Sequence, residues 1–215
     1  KKLKIVNPKL RVASMFAGCG GLDFAFHKQT DRYNVVYVND FDKDSCNTYE
    51  KYYKFKPICE DITKIETIPD CDILTGGFPC QGFSNAGKKL KDDPRNTLFR
   101  EFVRATTIIR PHIIIGENVK GLLNRKTSDN EMYIDVIVNE FEKLGYSVIY
   151  QVFKCDEYGI PQKRERLIIL GVRSDVLHLY NHSFLEKDKD TKNIQSIIDH
   201  TDCTRCSKLD KTYID

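Results

Sequence analysis

The sequence predicts an α/β protein in which a mostly parallel β-sheet carries helices on both faces. The chain has 215 residues, of which 40% are hydrophobic, enough to enclose a core. Short apolar runs alternate with amphipathic stretches along the first half, which is the pattern of a parallel sheet covered by helices. A glycine-rich segment also joins the first predicted strand to the first predicted helix.

The individual elements follow from hydrophobic spacing and from residues that begin or end helices. One predicted helix repeats apolar residues on one face from Leu98 to Ile109, and Pro111 ends it. Another begins at Asp42, whose side chain is expected to cap it, and Gly145 ends the last helix. The predicted strands are 10–16, 35–39, 71–75, 112–116, 146–153 and 167–172, and the predicted helices are 21–28, 42–53, 97–110 and 130–144.

Composition and charge restrict the class of protein. No apolar run approaches the roughly 20 residues of a membrane span, and residues 1–8 lack the apolar core of a signal peptide, so we expect a protein inside a cell. A net charge of +3 permits nucleic-acid binding without requiring it. The eight cysteines are scattered and are expected to be reduced thiols. Cys203 and Cys206 lack the second pair that a structural zinc site needs, so no metal site is predicted.

Three loops at one edge of the predicted sheet indicate an adenosine-binding site. In the segment from Phe16 to Gly21, glycines allow the backbone to approach a ligand closely. Asp40 follows the second strand, where it can accept hydrogen bonds from ribose hydroxyls, and Phe41 beside it can stack on an adenine ring. Asp61 is placed to accept a hydrogen bond from the adenine amino group.

None of these three loops carries the phosphate-binding consensus GxxxxGK[ST], which favours S-adenosylmethionine over ATP as the cofactor. A plainer interpretation stays open, in which Gly20 and Gly21 only make a tight turn while Asp40 and Asp42 cap a helix. The residues predicted to bind the cofactor are Phe16, Gly18, Cys19, Gly20, Gly21, Asp40, Phe41, Asp61, Ile62 and Pro79.

The segment from Gly76 to Ser84 is predicted to be a catalytic loop. It follows a strand, and open α/β sheets place their chemistry at the carboxyl ends of strands. Cys80 stands directly after Pro79 in this loop. A free cysteine has a pKa of about 8.5, so if Cys80 is a nucleophile the site must favour the thiolate or trigger its formation when the substrate binds. Taken alone, a cysteine after a strand is usually inert packing, and the basic residues at 163–166 would usually be a solvated turn.

Together these motifs resemble those of the cytosine-C5 methyltransferase family. Phe-Pro-Cys-Gln at 78–81, Glu-Asn-Val at 117–119 and Gln-Lys-Arg-Glu-Arg at 162–166 follow one another in that family's order. With the glycine loop included, the resemblance runs from about residue 10 to residue 173. It implies a Rossmann-like, S-adenosylmethionine-dependent methyltransferase domain over 1–173. It also implies methylation of C5 of cytosine in duplex DNA, as in cytoplasmic restriction-modification systems of bacteria.

The resemblance also implies roles for single residues. Cys80 adds to C6 of a cytosine flipped out of the duplex. Glu117 stabilises the intermediate at N3, either because the pocket raises its pKa or because it shares the proton with the base. Arg166 holds O2 of the base, Arg164 contacts a phosphate or orders its loop, and the segment from Ser84 to Phe99 resembles the family's mobile loop that closes over DNA. The predicted catalytic residues are Cys80, Glu117, Arg166 and Arg164, and the predicted substrate-binding and supporting residues are Gln81, Ser84, Lys88, Asn118 and Gln162.

The sequence departs from the family pattern at three points. Ser14 stands where many members have an acid. Asp40 replaces a more usual glutamate, so its ribose contact is expected to be longer or mediated by water. Complete members continue into a target-recognition region and then return to the catalytic domain, whereas residues 174–215 are expected to be a linker and the start of that region. The missing parts are therefore expected either to come from a second polypeptide or to be absent.

Two other functions stay open. One is methylation of cytosine C5 in tRNA, although the form Phe-Pro-Cys-Gln-Gly-Phe-Ser at 78–84 looks more like the DNA branch. The other is a non-catalytic, cofactor-binding subunit, against which the intact set of Cys80, Glu117 and Arg166 argues.

Overall fold

A computed structural model gives the structure of the chain over residues 9–79, 98–127 and 130–180. The chain divides into two compact units. The first consists of Lys1–Val152 and Arg166–Phe184, and the second of Phe153–Glu165 and Leu185–Asp215. Cys80, Gln81, Ser84, Lys88 and most of the predicted mobile loop lie outside the described residues.

Within the described residues, seven strands form one sheet in the order β3-β2-β1-β4-β5-β7-β6. The pairs from β3 to β5 are parallel, and β7 runs antiparallel to β5. The predicted α/β class with a mostly parallel sheet is therefore confirmed. The strands are β1 Leu10–Met15, β2 Tyr33–Asp40, β3 Ile58–Cys59, β4 Ile73–Gly76, β5 Ile113–Asn118, β6 Tyr146–Lys154 and β7 Glu165–Arg173.

The four helices of the described part cover both faces of this sheet. Thr75 of β4 faces Asp23, at the start of α1, whereas a Cβ on the next residue, Gly76, would meet the ring of Phe102 of α3 at 2.8 Å. Neighbouring residues of a strand point to opposite faces, so α1 and α3 lie on different sides. The helices are α1 Phe24–Lys28, α2 Lys43–Tyr53, α3 Phe99–Ile109 and α4 Tyr133–Lys143. None of the helices that the structure describes is long and apolar enough to cross a membrane.

Two helices, α1 and α4, begin three residues later than the sequence predicted. The prediction placed the start of α1 at Gly21, but the chain makes turns up to Asp23 and the helix has five residues. Gly18 and Gly20 have positive φ angles of 55° and 85°, which a right-handed helix excludes. Similarly, Asn130 has a φ of 67° and α4 begins three residues after it.

Other predictions about the elements are confirmed or extended. The Asp42 side chain accepts a hydrogen bond of 2.8 Å from the Ser45 amide, so it caps α2 as predicted. Strand β3 was not predicted, because two residues are too few to show a period. The motif residues Glu117 and Asn118 are the last residues of β5 rather than part of the loop after it.

A large buried apolar cluster of the described residues lies on the side of the sheet that α3 and α4 cover. On the α3 and α4 side, the rings of Phe102 and Phe141 meet edge to face at 5.8 Å, and both are fully buried. At the carboxyl end of β2, the buried amide of Asn39 donates to the carbonyl oxygens of Ile58 and Glu60. This contact holds the segment before Asp61 against the sheet edge where the predicted site lies.

Candidate active site

The glycine loop after β1 is held in a conformation that most residues avoid. Phe16 and Gly18 both have φ near 55°, a left-handed conformation that costs a non-glycine residue about 1–2 kcal/mol. The loop is fixed by hydrogen bonds from the Ala17 amide to the Asn39 carbonyl and from the Gly18 amide to Asp40 Oδ2, at 3.0 and 2.7 Å. A Cβ on Gly18 would meet nothing within 4 Å, so this part of the loop borders open space.

The other glycines of the loop have different surroundings. Gly20 is buried, and its Cβ would lie 2.4 Å from the ring of Tyr53 and 2.6 Å from that of Tyr49. The Tyr53 hydroxyl also donates to the Gly20 carbonyl oxygen at 2.7 Å. Gly20 therefore gives close packing inside the protein, whereas Gly21 has neither a positive φ nor a close neighbour. Cys19 is an exposed free thiol.

The two acidic loops end at the same edge of the sheet. Asp40 accepts one hydrogen bond on each oxygen, from the Gly18 and Asp42 amides. A carboxylate has about four acceptor positions, so two remain for a ligand. The ring of Phe41 is 75% exposed and can stack on an aromatic ligand.

Asp61 has a clear structural role. Its Oδ1 accepts from both the amide and the hydroxyl of Thr63, and these hydrogen bonds lower the pKa of Asp61. It thereby caps a short 3-10 turn at Ile62–Lys64. The side chain of Ile62 is buried in the core, and its predicted contact with the cofactor stays a prediction.

The start of the predicted catalytic loop is fixed by a strand residue. Asn118 of β5 is buried, and its Nδ2 donates to the Phe78 carbonyl oxygen at 3.1 Å. The Phe78 ring is also buried and packs against Phe102 at 5.8 Å, and Pro79 follows it half-buried. The backbone that leads to Cys80 is therefore held by both a hydrogen bond and an apolar contact.

The predicted acid and the predicted base-binding arginine lie in contact. Arg166 Nε is 2.7 Å from Glu117 Oε1, and both side chains are about a quarter exposed. The antiparallel register of β5 and β7, which pairs Glu117 with Ile168, brings the two strands' ends together. An arginine–carboxylate contact of this length is a charge-assisted hydrogen bond, which orients both groups.

Gly77 links this pair to the glycine loop. A Cβ on Gly77 would lie 3.5 Å from Glu117 Oε2 and 3.7 Å from the Phe16 carbonyl oxygen. The carboxylate, the glycine loop and the start of the catalytic loop therefore converge within a few ångströms. The sequence predicted these parts separately, and the structure places them at one site.

Gln162 and Arg164 belong to the second unit. The Arg164 amide donates to the Gln162 carbonyl oxygen at 2.8 Å, and the Arg164 carbonyl oxygen accepts from the Cys155 amide at 2.8 Å. These contacts make a compact turn in the second unit, and the predicted roles of both side chains stay predictions.

The sequence did not predict a buried polar cluster beneath the glycine loop. The Asp23 carboxylate is only 1% exposed and accepts hydrogen bonds from Ser14, Tyr49 and Thr75. Burial raises the pKa of Asp23, although the three hydroxyl groups oppose this shift. His27 lies 2.7 Å from the Tyr49 hydroxyl, and burial lowers its pKa. An aspartate before a helix usually indicates an N-cap, so the sequence held no clear sign of this cluster.

Solved structures define the class of fold to which this chain belongs. The Entamoeba histolytica methyltransferase EhMeth superimposes with a TM-score of 0.66 at 20% identity, covering 85% of this chain and 58% of that one. The S. pombe Dnmt2 methyltransferase gives a TM-score of 0.65 at 20% identity, and the match covers 87% of this chain and 60% of that one. At this identity the likeness establishes the fold alone, which is the Rossmann-like α/β fold of these methyltransferases.

Sequence comparison then defines the family. The C-5 cytosine-specific DNA methylase model matches residues 10–215. The Type II methyltransferase M.Bsp6I of Bacillus sp. (strain RFL6) is 39% identical over 209 residues, covering 95% of this chain and 63% of that protein. The Type II methyltransferase M.BsuRI of Bacillus subtilis is 34% identical over 210 residues, and the match covers 85% of this chain and 48% of that protein. The chain belongs to the C-5 cytosine-specific DNA methylase family, and it spans 48% and 63% of the lengths of these two curated relatives.

Proposed function

We propose that this chain carries the cofactor-binding and catalytic part of a DNA cytosine-C5 methyltransferase that uses S-adenosylmethionine. The observation that carries the proposal is the position of Glu117. Its carboxylate pairs with Arg166, and Gly77, in the loop that leads to Cys80, lies beside both this carboxylate and the Phe16 carbonyl oxygen of the glycine loop.

The residues at the sheet edge fit the proposed cofactor. Open space borders Gly18, Asp40 keeps acceptor positions for ribose hydroxyls, and the exposed ring of Phe41 offers a stacking surface for adenine. When bound, S-adenosylmethionine supplies a methyl group activated on a sulfonium. We assign Phe16, Cys19, Asp61 and Pro79 to the rim of this site.

The proposed chemistry begins with the Cys80 thiolate, which adds to C6 of cytosine and forms a carbon–sulfur bond. Electron density then moves toward N3 and C5, which makes C5 able to accept a methyl group. C5 takes the methyl group as the bond between the methyl carbon and the sulfonium sulfur breaks, and the sulfur keeps the bonding electrons as a neutral thioether. Loss of the C5 proton to water and breakage of the bond between Cys80 and C6 then restore the aromatic ring and release Cys80.

Glu117 and Arg166 are proposed to stabilise the charge that develops on the base. The permanently charged guanidinium of Arg166 lies 2.7 Å from the Glu117 carboxylate and orients it, and Glu117 is proposed to contact N3 of the base. Arg166 is also proposed to hold O2. Both contacts require a base outside the helical stack, so the proposal includes flipping of the target cytosine.

The biological setting is proposed from the relatives. Because the matched proteins are named Type II methyltransferases, we propose a role in a bacterial restriction-modification system in the cytoplasm, with duplex DNA as the substrate. Recognition of the target sequence is proposed to come from a region equivalent to the unmatched part of these relatives, in this polypeptide or in a second one.

Transfer of a labelled methyl group from S-adenosylmethionine to mixed-sequence duplex DNA tests the proposal, with tRNA in parallel. Cys80→Ala is the inactive variant, and Cys59→Ala is its control, since Cys59 is another free thiol of the chain. We expect label on DNA with the parent chain and with Cys59→Ala but not with Cys80→Ala. Label on tRNA alone would assign the chain to RNA methylation, and absence of both label and cofactor binding would contradict the proposal.

A further inference from the structure

Asp23 is the one acidic side chain that is buried among the residues the structure describes, with 1% of its surface exposed. It occupies the N-cap position of α1, yet its side chain makes no cap hydrogen bond. The carboxylate instead points into the interior, where a charged group is stable only if donors surround it.

Three hydroxyl groups from three elements supply those donors. Ser14 Oγ of β1 and Thr75 Oγ1 of β4 lie 2.8 and 3.4 Å from Asp23 Oδ1. The Tyr49 hydroxyl of α2 lies 3.0 Å from Oδ2. Ser14 and Thr75 are direct register partners in the parallel pair of β1 and β4, so one carboxylate joins two adjacent strands and a helix.

Each of these strands leads directly into one half of the candidate site. The glycine loop begins with Phe16, two residues after Ser14, and Gly77 stands two residues after Thr75. The ring of Tyr49 also lies against Gly20 in the glycine loop. A movement of the carboxylate would therefore be transmitted to the glycine loop and to the start of the catalytic loop together.

We propose that Asp23 is a positioning residue that holds the glycine loop and the start of the catalytic loop, residues 76–79, in register, and thereby sets the affinity for the cofactor. This inference rests on the proposed function for its consequence, but its structural part is independent of it. Loss of the carboxylate removes the acceptor that the hydroxyls of Ser14 and Thr75 share, although the Ala13 carbonyl oxygen of β1 lies 3.5 Å from the Thr75 hydroxyl and can still accept from it. The link from these strands to Tyr49 of α2 is then lost, which loosens the ends of both strands.

The test uses the full chain with four variants. Asp23→Ser removes the carboxylate, and the double variant Ser14→Asp with Asp23→Ser places a carboxylate on the other side of the same hydrogen bond. Thr106→Val is the matched control, because Thr106 is buried and its hydroxyl bonds only within α3, to the Phe102 carbonyl. Asp23→Asn keeps the size of the side chain and one acceptor oxygen, and it replaces Asp23→Ser if that variant does not fold.

Two measurements are made on each variant. The first is amide hydrogen exchange of the segments 16–21 and 76–79 compared with the exchange of α3. The second is binding of S-adenosylhomocysteine by calorimetry. We expect Asp23→Ser to speed exchange in both loop segments and to weaken binding about tenfold, because part of the binding free energy is then needed to order the loosened loops. The double variant should recover much of the slow exchange and much of the binding affinity, and Thr106→Val should change neither the exchange rates nor the affinity.

The inference would be overturned if both loop segments of Asp23→Ser exchanged their amide hydrogens at the rate of the parent chain. If only Asp23→Asn folds, the same comparison is made with that variant. A folded double variant that recovers neither measurement would also overturn the inference. If the parent chain does not bind S-adenosylhomocysteine, the proposed function fails, while the exchange comparison still decides whether Asp23 positions the two loops.

Discussion

Replacement of Gly20 by alanine should destabilise the protein strongly, because two effects add at this position. The backbone has a φ of 85°, which costs a residue with a side chain about 1–2 kcal/mol. The new methyl group would also lie 2.4 Å from the Tyr53 ring and 2.6 Å from the Tyr49 ring. Neither ring moves freely, since the Tyr49 hydroxyl bonds to Asp23 and the Tyr53 hydroxyl bonds to Gly20 itself.

Overpacking of a filled interior costs about 1–3 kcal/mol, so the expected total loss is roughly 2–5 kcal/mol of the free energy of unfolding. Gly18→Ala is the matched control, because its φ is 55° but its Cβ would meet nothing within 4 Å. It should lose only the backbone contribution, roughly 1–2 kcal/mol. Under the proposed function, Gly18→Ala should also weaken cofactor binding, since its methyl group enters the open space beside the loop.

Urea denaturation of the two variants and the parent chain measures these losses. A Gly20→Ala variant as stable as the parent chain, or more stable than Gly18→Ala, would show that the packing argument is wrong. The comparison does not depend on the substrate, so it tests only the backbone conformation and packing of the glycine loop.

Three further predictions concern neighbouring parts of the molecule. Asn118→Ala should lower the free energy of unfolding by about 1–3 kcal/mol in urea denaturation, because the buried Phe78 carbonyl loses its donor; an unchanged stability would contradict this. Glu117→Gln should fold as stably as the parent chain but methylate about 10²–10⁴-fold more slowly; a normal rate in the methyl-transfer assay would remove Glu117 from the mechanism. The Ser45 hydrogen bonds lower the pKa of Asp42 below 3.8 in the folded chain, so the stability from this carboxylate is present above that pH and is lost as pH falls through the folded pKa. As the pH is lowered, the melting temperature of the parent chain should therefore fall more than that of Asp42→Asn. Equal falls in both proteins would show that the Asp42 carboxylate does not stabilise the start of α2.

Local signals were sufficient to predict most of the fold. Asp42 caps α2 as expected, and the alternation of apolar runs with amphipathic stretches gave the parallel strands from β1 to β5 apart from the two-residue β3. Strand ends were predicted less well, because hydrophobic runs do not show where pairing continues. Glu117 extends β5 since its backbone pairs with β7, a contact between residues far apart in sequence.

The candidate site was predicted in parts rather than as an arrangement. The motifs named Glu117 and Arg166, but only the antiparallel course of β7 brings them within 2.7 Å. Gly18 and Gly20 looked equivalent in the sequence, yet one borders open space and the other packs against tyrosines. Asp23 gave no sequence signal, because its burial depends on Ser14 and on partners from β4 and α2.

The covalent step of the proposed mechanism can be tested most directly with duplex DNA in which 5-fluorocytosine replaces cytosine. Fluorine at C5 blocks loss of the proton that normally releases the enzyme, so the bond between Cys80 and C6 should persist. After incubation with S-adenosylmethionine, we expect a protein–DNA complex on a denaturing gel with the parent chain, a slower one with Glu117→Gln, and none with Cys80→Ala. An undiminished complex with Cys80→Ala, or methylation of normal DNA by a chain that never forms the complex, would contradict the proposed mechanism.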